Sequence, residues 1–172
     1  MTTQALIAIR ILNFSGYKLV ADQYHDSGDD WPVDYKVDRG EEKLIALNKR
    51  DSTVSGHMSG YITFKCEEYL GRRVQPQHKI HIAFSHPAFG QCKLNVGSGA
   101  DGKKIWEAMD ATNYQPFVRE VIPAKADNKP SPAPKEGPEI VANCVCAYRS
   151  HGDGSNFGTN EATVVLIDRK YL

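Results

Sequence analysis

Apolar and polar residues alternate along much of this chain. In "KIHIAF" (residues 79–84), Ile80, Ile82 and Phe84 fall on one face of a strand, and His81 and Ala83 on the other. The alternation stops at Ser85-His86-Pro87, with the aromatic Phe89 close behind. Such a break marks either a strand's end or the rim of a binding site. In "SGYITFKCE" (residues 59–67), Tyr61, Thr63 and Lys65 alternate against Ile62, Phe64 and Cys66. Residues 5–13 ("ALIAIRILN") are apolar with partial alternation, and residues 18–25 follow a turn at Ser15-Gly16. Residues 34–37 and 42–48 flank Arg39-Gly40 as two further short strands, and residues 92–96 make another. Near the C-terminal end, residues 139–149 and 162–170 read as two long strands around "SHGDGSNFGTN", a run of turn residues.

Short strands at intervals of roughly 8–12 residues predict an all-β sandwich or barrel. One helix is expected after Asp101, which can cap it. Ile105 and Met109 share a face with Trp106 beside them, and the helix is expected to end near Thr112-Asn113. Residues 123–138 ("PAKADNKPSPAPKEGP") are proline-rich and polar, and are expected to form an exposed extended loop within a single domain covering residues 1–172.

Composition narrows the function classes. Lys and Arg together number 21, as do Asp and Glu, so the formal charge is zero. That balance argues against electrostatically driven nucleic-acid binding. No apolar run reaches the ~18 residues expected of a membrane-spanning helix. The start of the sequence lacks the basic and apolar regions of a secretory signal. The expected location is the cytoplasm, or release without such a signal followed by association with target membranes.

Candidate chemistry is sparse. Cys66, Cys92, Cys144 and Cys146 read as buried free thiols; a bridge between Cys144 and Cys146, two apart on a strand, would be badly strained. His78, His81 and His86 do not converge, because His78 precedes the strand and His81 lies on it, so no metal site is expected. "GSGADGK" (residues 97–103) lacks phosphate-loop spacing and reads as the turn before the helix cap, and "HGDG" (residues 151–154) as a hairpin tip. The pattern calls for no cofactor, and no motif of an enzyme is present.

The order of motifs resembles the actinoporin-like cytolysins of sea anemones and mosses, and the sandwich they share with fungal fruit-body lectins. "IAIRILNFSGYKL" (residues 7–19) is similar to the family's first core strand, "YHDSG" (residues 24–28) to its "YF-SG", and "LIALNKRD" (residues 44–51) to its "LL-S-RK-D". "SGHMSGYITF" (residues 55–64) is similar to its "G-VG-FSY" strand, and the stretch ending in Ser85-His86-Pro87 to the strand that runs into "FS-PFDYN". The likeness covers about residues 5–113, with the last hairpin as a further match.

The resemblance implies two antiparallel sheets with one or two short helices and no catalysis. It also implies a loop-face pocket for a membrane-lipid head group of the phosphocholine type. By position, Ser85 and Pro87 match pocket residues, and Trp106 stands where a helix tyrosine is expected. Phe89, Tyr24 and Trp31 are candidate neighbours. The chain departs from the family at Leu47, where a pocket serine is expected. It departs again at residues 89–93, where an aromatic-rich docking loop is replaced, and at residues 109–111, which lack a tyrosine pair. Because the first strand is expected to start near residue 5, the family's pore-forming N-terminal segment is expected to be missing. The resulting expectation is a cytolysin-related, toxin-like lipid binder that does not form pores alone, with a partner protein or a homo-oligomer among its expected partners. The alternative is a soluble lectin that takes a glycan in the same sandwich.

Overall fold

In the computed structural model, residues 7–26, 35–47, 58–86, 93–111, 116–122, 139–150 and 158–172 are described. The strands, in chain order, begin with β1 (Ile7–Phe14), β2 (Tyr17–Asp26), β3 (Lys36–Val37), β4 (Glu42–Leu47), β5 (Met58–Tyr69), β6 (Arg72–His86) and β7 (Lys93–Ser98). A single turn-and-a-half of helix follows, α1 (Gly102–Glu107), and then β8 (Asp110–Ala111), β9 (Phe117–Ile122), β10 (Ile140–Ser150) and β11 (Gly158–Asp168). A 3-10 turn, Arg169–Tyr171, ends the order.

The strands form the expected sandwich. One sheet has the order β4-β1-β11-β10-β9, the other β3-β2-β5-β6-β7-β8. Branched and aromatic residues at every second position supply the inner faces. Ile7, Ile9 and Ile11 of β1, Val164 and Leu166 of β11, and Ile140, Ala142, Cys144 and Cys146 of β10 line one side. Leu19, Ile62, Phe64, Cys66, Ile80, Ile82, Phe84, Leu94 and Val96 line the other. Complete burial of a side chain such as Phe64 contributes about 1.5–3 kcal/mol relative to exposure.

The structure corrects several expectations. The five-stranded sheet is mixed, because β1 pairs with β11 in parallel, Ile7 opposite Asn160 and Phe14 opposite Ile167. Strand β6 starts at Arg72, so His78 lies inside it, opposite Cys66. The helix stops at Ala108, short of Thr112, because Asp110 already pairs with Leu94 of β7. Strand β9 was not legible as a strand at all. The last hairpin is present, with β10 and β11 paired from Ile140–Asp168 to Ser150–Gly158. Its tip, the proline-rich loop at 123–138 and Cys92 lie outside the described residues.

The three cysteines that are described, Cys66, Cys144 and Cys146, are buried thiols outside any disulfide. Burial pushes the Cys66 thiol up to about 12. It does the same for Cys144, to about 12, against an opposing influence from the Arg119 charge. These thiols act as small apolar side chains.

Candidate functional site

The inner face of the six-stranded sheet is core; its outer face carries α1. Alternation puts Ser59, Tyr61, Thr63 and Lys65 of β5 on that outer face. Register sets them opposite Ser85, Ala83, His81 and Lys79 of β6. Asn95 and Gly97 of β7 extend the rows from Ala83 and His81.

Local sequence explains how the helix lands there. Gly99 has φ +137°, in the region that favours glycine, and turns the chain out of β7. Asp101 caps the helix in extended geometry, its carboxylate accepting from the Lys103 N–H at 2.9 Å. Two glycines let the helix approach the sheet. A Cβ on Gly97 would lie 2.5 Å from Ile105 Cδ1, and one on Gly102 would lie 2.4 Å from Tyr61 Cε2.

Buried polar groups pin the helix in place. Gly99's carbonyl can only accept, so His81 Nε2–H donates to it at 2.8 Å. In the neutral ring, Nδ1 then accepts the Thr63 hydroxyl proton, also at 2.8 Å. Asn95 Nδ2–H donates to the Ile105 carbonyl at 3.0 Å and to the Ala108 carbonyl at 3.5 Å, which satisfies acceptors left open at the helix end. Asn95 Oδ1 accepts from the Val96 N–H at 3.0 Å and from Arg119 Nε at 3.3 Å. The Arg119 guanidinium also lies 4.7 Å from the Phe117 ring centroid.

At the far end of the helix, half-buried Trp106 donates its indole Nε1–H to Ser59 Oγ at 2.7 Å. Ser59 in turn donates to the Phe84 carbonyl at 3.4 Å. Ser85, the register partner of Ser59, is buried. The structure therefore brings two of the expected site residues, Ser85 and Trp106, to the same end of the sheet through Ser59. Tyr24 takes the register position opposite core residue Ile62, one place off the row of Tyr61 and Ala83. Pro87, Phe89 and Trp31 lie outside the described residues. Sequence reasoning missed Ser59 and Asn95. Ser59 was legible only as the polar start of an alternating strand, and its bond to Trp106 spans 47 positions.

Beyond His81, the same face carries a charged cluster. Lys65 and Lys79 sit opposite one another, and Asp22 bridges them at 2.6 and 2.8 Å. Burial opposes ionisation of Asp22, but hydrogen bonds and charge from the two lysines outweigh it and hold the carboxyl below its ordinary value. The Asp22 hydrogen bond raises the Lys65 ammonium above its ordinary value.

Chemically, this end offers one fixed, partly exposed aromatic whose indole N–H is held by the buried Ser59 hydroxyl. Both His81 nitrogens are committed to hydrogen bonds. Among the described residues no group of three His, Cys, Asp or Glu side chains could hold a metal ion. No helix among them is long and apolar enough to cross a membrane.

No protein-family model matches the chain, and no curated protein matches it in sequence. Twelve solved chains match it in fold. Among them is the crystal structure of the lipid-binding protein Nakanori, with a TM-score of 0.59 and 10% identity. The match covers 95% of this chain and 71% of that one. That likeness shows an actinoporin-like β-sandwich.

Proposed function

We propose that this chain is a non-catalytic lipid-binding protein that takes a phosphocholine-type head group at the Trp106 end of its six-stranded sheet. The observation that carries the reading is the indole of Trp106, held at 2.7 Å by Ser59 while the residue stays partly accessible. An aromatic fixed before its ligand arrives loses little freedom on binding. A quaternary ammonium over such a ring gains about 1–2 kcal/mol when desolvated, roughly a tenfold change in affinity. The shared fold with a lipid-binding protein supports the same reading. It is a surface contact without insertion.

Flotation with vesicles of phosphatidylcholine or sphingomyelin, against vesicles of phosphatidylethanolamine, tests the head group. Choline lipids are expected to retain the protein, and Trp106→Ala to weaken retention roughly tenfold with a small loss of stability. If Trp106 is instead a plug of the core, the same change costs about 3–5 kcal/mol and much of the protein unfolds. Binding to a glycan array with no vesicle binding would replace this reading with a lectin's. Release of trapped dye by the protein alone would replace surface contact with insertion.

A further inference from the structure

The opposite end of the sandwich carries an arrangement that folding does not require. Strands β5 and β6 are joined by the two-residue turn Leu70-Gly71, with Tyr69 opposite Arg72. Both turn residues have positive φ, 49° at Leu70 and 79° at Gly71. Hairpin turns of this kind favour Asn-Gly, because a branched apolar side chain is strained in the left-handed region. Leu70 is also 50% exposed. The strained conformation costs stability and the exposed side chain recovers little of it through burial, which points to use of the side chain outside the fold.

Leu70 does not stand alone. Its N–H donates to the Gly16 carbonyl at 2.8 Å, tying it to the β1–β2 turn. Gly16 N–H donates to Asp168 Oδ1 at 3.1 Å, and the Tyr69 hydroxyl donates to Asp168 Oδ2 at 2.8 Å. Three chain segments thus meet on one buried carboxylate and form a rigid platform. Phe14, 54% exposed, and Tyr171, 67% exposed, flank it from the neighbouring segments. Cations surround these tips. Arg72 and Arg73 are exposed beside the turn, and Lys18 lies across from Glu68 on the adjoining strand. Lys170 sits 4.9 Å from the Tyr171 ring centroid and 5.7 Å from that of Tyr69. The acids here are Glu68, opposite both Lys18 and Arg73, its neighbour Glu67, and the buried Asp168 already bonded to Gly16 and Tyr69. Arg169 is engaged by Glu120 and Glu139.

We infer that this end is a second docking surface, and that its occupant is an anionic bilayer. Apolar and aromatic tips would enter the head-group layer while the lysines and arginines meet lipid phosphates and carboxylates. Ser59 and Tyr69 lie at opposite ends of β5, about 30 Å apart at strand rise. This surface therefore does not overlap the Trp106 site, and its ligand differs in charge.

Flotation of the full chain with phosphatidylcholine vesicles, with and without phosphatidylserine, tests the inference at low and high salt. Phosphatidylserine is expected to increase retention, and salt to reverse the increase. Leu70→Asn removes the apolar tip and suits the turn better. It should raise the melting temperature while weakening binding to the serine lipid roughly fivefold. Arg72→Gln with Arg73→Gln should weaken it by roughly fivefold per charge. Neither change is expected to alter binding to phosphatidylcholine alone, whereas Trp106→Ala should weaken retention on both kinds of vesicle, since both contain choline lipid, and leave the increase caused by phosphatidylserine in place. An increase on serine-containing vesicles that is the same for the parent, the Leu70 variant and the Arg72 and Arg73 variant would overturn the inference and leave the choline reading intact. A concentration-dependent dimer that Leu70→Asn dissolves, without any effect on vesicles, would also overturn it, because the occupant would then be a second copy of the chain.

Discussion

Replacing Gly102 with alanine puts a methyl group where α1 meets the sheet. That Cβ would lie 2.4 and 2.6 Å from Tyr61 Cε2 and Cδ2, and 2.9 Å from His81 Nδ1. Ordinary carbon contacts fall near ~3.5–4.0 Å, so something must retreat by about 1 Å. Tyr61 is half-buried and can swing in part. His81 is 1% exposed and bonded through both nitrogens, so it cannot. The helix must therefore lift. Overpacking of this kind typically costs about 1–3 kcal/mol. Alanine's helix propensity returns up to about 1 kcal/mol over glycine. With the full return the net is a loss of up to about 2 kcal/mol, or a fall in Tm of up to roughly 8 °C for a chain of this size. Lifting α1 also draws Trp106 away from Ser59, so binding to choline lipid should weaken together with stability. Thermal melting by circular dichroism and vesicle flotation on the same preparation read both effects. An unchanged or higher Tm with full binding would refute the claim that the glycine contact seats the helix.

Two other outcomes follow from the charges and thiols. Asp22 titrates below its ordinary value in the folded chain, so its ionised form contributes stability above that value and the contribution is lost as pH falls through the depressed folded pKa. Asp22→Asn should therefore lower Tm at neutral pH and converge with the parent in strong acid; parallel Tm curves across the acid range would refute this. Cys66 and Cys144, both pushed to about 12 by burial, should resist alkylation in the native chain near pH 8 and react once urea unfolds it. Peptide mass spectrometry showing either residue modified in the native chain would contradict the packing.

The centres of the strands were legible because a half-buried strand writes its two faces into the sequence as alternation. The ends were less so. Residues 72–78 ("RRVQPQH") are polar and include Pro76, which argues against an interior strand. Yet β6 extends through them, because β7 pairs with β6 only from Ile80 onward and leaves the earlier part at the sheet's margin. In β9, Phe117 and Arg119 are half-buried, Val118 and Glu120 exposed, and Val121 and Ile122 both buried, so the strand has no clean period. The parallel pairing of β1 with β11 left no local signal, since it joins segments from the two ends of the sequence. Trp106 was legible as an aromatic on a short helix. Its partner Ser59 was not, because a helix-to-sheet contact is written in three dimensions rather than in spacing.

Apolar burial and polar bonding divide the work of this fold differently. The two inner faces would hold a sandwich together with α1 shifted along the sheet, since apolar contact is non-directional. The buried polar residues remove that freedom. Thr63, His81 and Asn95 tie the outer face to the loop before α1 and to its closing carbonyls, so the helix has one position and Trp106 one reach. At the other end, Asn13 does the same for turns. Its amide donates to the Tyr17 and Val37 carbonyls at 2.8 and 3.0 Å, and its oxygen accepts from Ser15 Oγ at 2.6 Å. A buried polar group left unpaired would cost about 1–3 kcal/mol, so each network also penalises alternative arrangements. The positions with most influence on the two proposed contact surfaces are thus the buried residues that decide where Trp106 and Leu70 can stand.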